Sequence, residues 1–148
     1  MNFNDLISIH FAGLPAELSM LVLASLLGLL QLAVAGRMGN RQRGLKWNLG
    51  ARDGEPPPIS KVAGRLERAR RNFMETFPFF AAGILVAALA NRFNTLTLWG
   101  SDLYFWARLI YVPLYAFGVF GLRTLVWLVS LIGILLVFAG LFWPHLLG

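Results

Sequence analysis

Gly64-Arg-Leu-Glu-Arg-Ala-Arg-Arg-Asn-Phe-Met-Glu-Thr-Phe-Pro78 runs from a dense polar cluster straight into an apolar stretch long enough to enter a bilayer. At a helical rise of ~1.5 Å per residue, Arg68, Asn72 and Glu75 follow i, i+4, i+7 and form one stripe ~10 Å long. The segment is therefore expected to be a helix that starts outside the membrane, with Ser60 as its N-cap, and carries half of a binding site inward. Glu75 lies beyond the last basic group and just before Phe77-Pro-Phe79. A carboxylate at that depth costs ~2.5–3.5 kcal/mol on insertion scales, so it is expected to need a partner, either an arginine or a ligand amine.

The composition around this stretch fixes the class. The chain has 148 residues, of which 57% are hydrophobic and 14% charged, and its mean hydropathy is +0.65. That is too apolar for a soluble domain of this size. Four apolar segments, Leu18 to Gly36, Glu75 to Asn91, Leu103 to Leu122 and Thr124 to Phe142, approach the ~20 residues that a ~30 Å hydrocarbon core demands. Allowing for polar helix ends, the expected helices are 14–37, 61–91, 99–119 and 122–143 of one membrane domain, 1–148. The fold class expected is an all-α integral membrane protein, an antiparallel four-helix transmembrane bundle, because the connections between the later helices are short. Ala24, Gly28, Ala81, Ala82, Ala87, Gly133 and Gly140 are the small residues available for close helix packing. Residues Met1 to Pro15 form an exposed or interfacial lead, and Trp143 suits an aromatic belt.

Ten of the thirteen Lys and Arg residues lie between Arg37 and Arg71, against Asp53, Glu55 and Glu67. The positive-inside rule places the 38–60 loop in the cytoplasm and both termini on the opposite side. Such a basic segment suits anionic headgroups, and no nucleic-acid fold accompanies it, so nucleic acid is not the expected partner. Cysteine is absent and the only histidines are His10 and His145, which leaves no expected metal site. No broken pair of helices with a polar midplane path suggests a transporter.

A second polar cluster lies in the third apolar segment. Arg108, Tyr111 and Tyr115 follow i, i+3, i+7 on one helix face, and Arg123 opens the fourth helix. Segment order puts Tyr115 and Arg123 at the same membrane face as Arg68, Asn72 and Glu75. For Arg108 a structural salt bridge and a ligand contact are both open.

Arg65-Leu-Glu-Arg-Ala-Arg-Arg-Asn-Phe-Met-Glu-Thr-Phe-Pro78, taken with Ala107-Arg-Leu-Ile-Tyr111, Tyr115 and Leu122-Arg-Thr-Leu125, resembles the MAPEG family, the membrane-associated proteins in eicosanoid and glutathione metabolism. The resemblance covers roughly Pro57 to Val137. The stretches Asp53 to Pro58 and Arg123 to Trp127 look like its bacterial branch, which implies a bacterial inner membrane. The resemblance also implies a homotrimer with glutathione bound at subunit interfaces on the cytoplasmic side. Arg68, Asn72 and Glu75 match the family's second-helix glutathione contacts, and Tyr111 and Tyr115 match its third-helix tyrosines. Arg123 matches the arginine that stabilises the thiolate, with Tyr115 as the second choice of donor, and Arg37 is a candidate for another catalytic arginine. Thr76 stands where some synthases of the family have a tyrosine.

Glutathione carries two carboxylates, one ammonium and a thiol. Arg37, Arg68 and Arg71 would take the carboxylates in bidentate forks, and Glu75 the ammonium. Lowering a thiol pKa of ~8.5 by two units needs ~2.7 kcal/mol, within the ~1.5–3 kcal/mol of one charge-assisted hydrogen bond. The function implied is a glutathione-dependent transferase or peroxidase acting on lipophilic electrophiles or lipid hydroperoxides that arrive through the bilayer. The alternative is a non-catalytic lipid-binding or scaffolding protein of the same fold.

Overall fold

The computed structural model describes residues 13–143; His10, His145 and most of the Met1 to Pro15 lead lie outside them. Helices α1 (Ala16–Arg43), α2 (Leu45–Leu49), α3 (Lys61–Leu89), α4 (Thr95–Phe117) and α5 (Leu122–Phe142) follow one another, and no strand occurs among the described residues. The short links 90–94 and 118–121 make α3, α4 and α5 reverse direction in turn.

Three helices, α1, α3 and α5, are long and apolar enough to cross a membrane. The sequence suggested a fourth, and α4 with its 23 residues has the length. Its hydropathy is lowered by Thr97, Ser101, Asp102 and Arg108, all of which are buried against the other helices. Its polar groups face inward, so average hydropathy understates how apolar its outer surface is. For the same reason α4 begins at Thr95 rather than near 99: Asn94 accepts hydrogen bonds from the Leu96 and Thr97 amides, and Thr97 returns one from the Asn94 amide, a capping box that hydropathy does not register. Helix α1 likewise continues past residue 37 to Arg43, since polarity ends an apolar run without ending a helix.

The core draws on all four long helices: Met20 and Ala24, Phe80 and Ile84, Tyr104 and Phe105, Ile134 and Val137. On α3 the buried positions Ala69, Phe73, Thr76, Phe80, Gly83 and Ala87 alternate three- and four-residue steps, which keeps one seam turned inward. Phe80 stacks on Tyr104 with ring centroids 4.0 Å apart. Leu29, Leu30, Phe79 and Leu135 stay exposed, as lipid-facing side chains should.

Helices α4 and α5 meet backbone to backbone. A Cβ at Gly100 would lie 2.6 Å from the Gly133 carbonyl oxygen, and one at Gly133 would lie 2.7 Å from that of Gly100. Of the small residues picked out in the sequence, Gly133 serves this backbone contact, Gly140 admits the Asn94 and Thr97 side chains and Gly28 the Phe73 ring, whereas Ala82 is exposed. Gly100→Ala is therefore expected to part the two helices and destabilise the protein by about 1–3 kcal/mol, as overpacking does. Thermal unfolding in detergent measures this, and an unchanged midpoint would contradict the close contact.

Polar ties fix the helix ends. Ser60 caps α3 by accepting from the Ala63 amide at 3.3 Å. Arg43 forms a two-pronged ion pair with Glu67, at 3.2 and 3.0 Å, joining the end of α1 to the start of α3. Arg92 donates to the Leu141 carbonyl at 2.6 Å, and Asn94 to that of Gly140 at 2.9 Å. Across the opposite end, Arg65 donates to the Ala116 carbonyl at 3.3 Å. Its guanidinium packs on Gly118, where φ is +74° and a Cβ would fall 2.6 Å from the Arg65 Cζ. Glycine meets both demands at that helix end.

Candidate functional site

Helices α3 and α4 are joined by a buried polar knot built on Arg108, which is 1% exposed. Its Nη1 donates to the Asn72 Oδ1 at 2.7 Å and its Nη2 to the Thr76 Oγ1 at 2.6 Å. Thr76 donates its own proton to the Phe73 carbonyl at 3.2 Å. The 3.2 Å contact between the Thr76 and Tyr104 hydroxyls is then donated by Tyr104, since a hydroxyl has one proton to give. The guanidinium also sits 5.6 Å from the Tyr104 ring centroid and 5.5 Å from that of Tyr111, within cation–π range. No carboxylate pairs with it: the one salt bridge among the described residues is Arg43–Glu67. Among the described residues of one chain, neutral oxygens and ring faces rather than a carboxylate hold the cation.

One turn further along α4 the face opens into a cavity of about 220 Å³ lined by Asn72, Tyr111, Tyr115, Arg123, Thr124 and Trp127. The Tyr111 and Tyr115 rings stand 5.3 Å apart, tilted by 50°. Arg123, in the first turn of α5, lies over the Tyr115 ring at 5.0 Å. At that distance the ring attracts the guanidinium as a cation–π contact. No acceptor among the described residues engages its N–H groups.

Asn72, Tyr111, Tyr115 and Arg123 are thus brought together by three helices, with Arg108 behind them. Arg68 and Arg71 are exposed and line a different, wider groove of about 710 Å³ together with Ser60, Lys61, Arg65 and Glu67. Arg37 is exposed on α1 and makes no hydrogen bond among the described residues. Glu75 is exposed on the outer face of α3, within electrostatic reach of Arg108 and Tyr111 but bonded to neither, so the described residues do not supply the partner expected for it. The residue beside it, Thr76, takes the inward direction on the seam. Tyr104, Thr124 and Trp127 escaped the sequence reading, and Thr76 entered it only as a position where some synthases have a tyrosine. Thr76 is i+4 from Asn72 and Tyr104 is i−4 from Arg108, so helical spacing from the recognised residues points to both; Trp127 carries no such signal.

An all-helical chain with membrane-length helices, and an arginine-tyrosine cavity where three of its helices meet, is the class of protein that this geometry defines. Over residues 20–143 the chain matches the MAPEG family, and it belongs to that family. No curated protein and no solved structure matches it. Membership supports a membrane role connected with glutathione in general terms.

Proposed function

We propose that this protein is a glutathione-dependent membrane transferase or peroxidase, working as a homotrimer of four-helix subunits with α4 as the fourth membrane crossing. The placement proposed is a bacterial inner membrane with the 38–60 loop cytoplasmic. The observation that carries the activity is Arg123 stacked on Tyr115 at the cavity, with its N–H groups unclaimed by the protein.

At about 220 Å³ the cavity is smaller than the ~300–1,000 Å³ usual for a whole ligand. It suits the cysteinyl centre of the tripeptide alone. Arg123 would donate to the sulfur and hold it as thiolate, and the Tyr115 hydroxyl is the alternative donor should Arg123 prove not to be. Asn72 and Tyr111 would border the peptide, and the outer arms would run along α3, where Arg68 and Arg71 take carboxylates and Glu75 the ammonium. Arg37 would complete the carboxylate set from the α1 of a neighbouring subunit, which its exposed position in one chain favours. Bound glutathione would supply a nucleophilic sulfur: toward a carbon electrophile it forms a C–S bond as a leaving group departs or an activated bond opens, and toward a lipid hydroperoxide it takes the terminal oxygen as the O–O bond breaks, giving the alcohol and a sulfenic acid that a second glutathione converts to the disulfide and water. The site supplies proximity, since both reactants meet at one membrane interface.

Isothermal titration of the solubilised oligomer with glutathione tests this assignment. Saturable binding at micromolar to millimolar concentration is expected, weakened about tenfold in Glu75→Ala and in Arg68→Ala, the worth of one exposed charge-assisted contact. An affinity unchanged by both substitutions would remove these residues from the site. Absence of binding in every protein would turn the reading to a lipid-binding or scaffolding subunit.

A further inference from the structure

The loop between α1 and α3 contains a small, fixed element that thiol chemistry does not use. Gly44, at φ +82°, ends α1 and turns the chain into α2. Behind that turn Asn48 Nδ2 donates to the Asn40 carbonyl at 2.7 Å, and Arg52 Nη2 donates to the Asn48 carbonyl at 3.0 Å. This short helix is therefore tied to the end of α1, yet it holds Leu45 and Leu49 outward at 77% and 81% exposure. At i and i+4 the two leucines share one face.

Beside that face opens a cleft of about 470 Å³ lined by Arg43, Lys46, Trp47, Arg52, Asp53 and Pro57, among others. Arg43 is neutralised by Glu67. What remains is Lys46 and Arg52 against Asp53, one net positive charge, which matches a phosphodiester monoanion. The position fits as well. The 28 residues of α1 extend about 42 Å at ~1.5 Å each, close to the ~40–45 Å of a bilayer with its headgroups, so the end of α1 reaches headgroup level. Paired leucines, an indole and cations at that level are the groups that enter a membrane interface. Two leucines fall far short of the ~600 Å² per partner that a stable protein contact needs, which disfavours a second copy of the chain.

We propose that the cleft beside α2 binds the phosphate of an anionic phospholipid, with Lys46 and Arg52 on the phosphate and Leu45 and Leu49 against the acyl chains. The site is independent of the glutathione reading and of which leaflet the loop faces.

The test titrates the full-length protein in neutral detergent with short-chain phosphatidylglycerol, phosphatidylcholine and inorganic phosphate. The Trp47 fluorescence is read as the difference between the unmodified protein and Trp47→Phe. Phosphatidylglycerol should give a saturable signal at about a tenth of the phosphatidylcholine concentration, and inorganic phosphate none. Lys46→Gln with Arg52→Gln should weaken phosphatidylglycerol binding roughly thirtyfold at an unchanged melting temperature, from the usual worth of a basic side chain at an anionic surface. If the double change lowers the melting temperature, Lys46→Gln alone decides, because Lys46 is exposed and makes no side-chain bond; it should weaken binding roughly fivefold. Equal affinity for the two lipids, saturation by phosphate alone, or unchanged binding in these variants would overturn the proposal. So would a change in oligomer mass on Leu45→Ser with Leu49→Ser, which would make the face a contact between subunits.

Discussion

Under the proposed function, glutathione bound to the Arg123→Leu protein is expected to titrate as an ordinary thiol near pH ~8.5, about two units above its value in the unmodified protein. The cause is local. Arg123 is the cation that the Tyr115 ring holds against the cavity, at 5.0 Å, and leucine keeps the apolar contact while removing the donor. From the proton balance, a thiol of pKa ~6.5 is about three-quarters thiolate at pH 7, and one of ~8.5 about 3%. Turnover at pH 7 should fall roughly 25-fold for that reason alone. The sign follows: activity of the unmodified protein should level off above pH ~6.5, whereas that of the variant should keep rising through ~8.5 and approach it at higher pH. Thiolate absorbance of the bound peptide measures the shift directly. Tyr115→Phe, which retains the ring under Arg123, should leave the titration nearly unmoved. An equal loss of activity at every pH would assign Arg123 to binding and leave the thiolate to another donor.

Asn72→Leu will destabilise the protein by about 3 kcal/mol, a fall in melting temperature of roughly 6–12 °C. It removes one of the two side-chain acceptors of a guanidinium that is 1% exposed. The cation cannot shed its charge, and no carboxylate is at hand to compensate. Arg108→Leu should cost less, because it strands only the neutral Asn72 and Thr76 oxygens and also abolishes the burial of a charge. The double variant should resemble Arg108→Leu more than Asn72→Leu. Unfolding of the three proteins in the same detergent reads the order, and equal losses in both single variants would show that charge burial is not what makes the knot sensitive.

Much of this arrangement is legible in the sequence. The face shared by Arg108, Tyr111 and Tyr115 follows from helical spacing, and loop charge with segment order brings it to the depth of Asn72 and Arg123. Local periodicity does not reveal which side chain answers which. Asn72 turns to Arg108 rather than outward because of the register between α3 and α4, and that register is set by contacts such as Phe80 on Tyr104. Glu75 shows the complementary limit. Depth along a helix can be counted from the sequence, but the side of the helix that meets protein is decided by the seam through Phe73, Thr76 and Phe80, which leaves the carboxylate outside. Hydropathy marks the apolar onset of the third segment at Leu103, eight positions after the helix begins, because it counts buried Thr97, Ser101 and Asp102 as exterior residues.

The hydrogen bond from Arg65 to Ala116 acts on the electric field of the site as well as on its geometry. A helix carries about half a negative charge at its C-terminus and half a positive charge at its N-terminus. Helix α4 ends and α5 begins at this face, so the cavity lies close to one pole of each. Arg65 offsets the negative pole of α4, which would otherwise repel an incoming anion. The start of α5 has no side-chain cap, so no side chain offsets its positive pole, and Arg123 stands in that same turn. Backbone dipoles and side-chain cations therefore add with one sign, and attraction of an anionic peptide to this face extends beyond the arginines that would touch it.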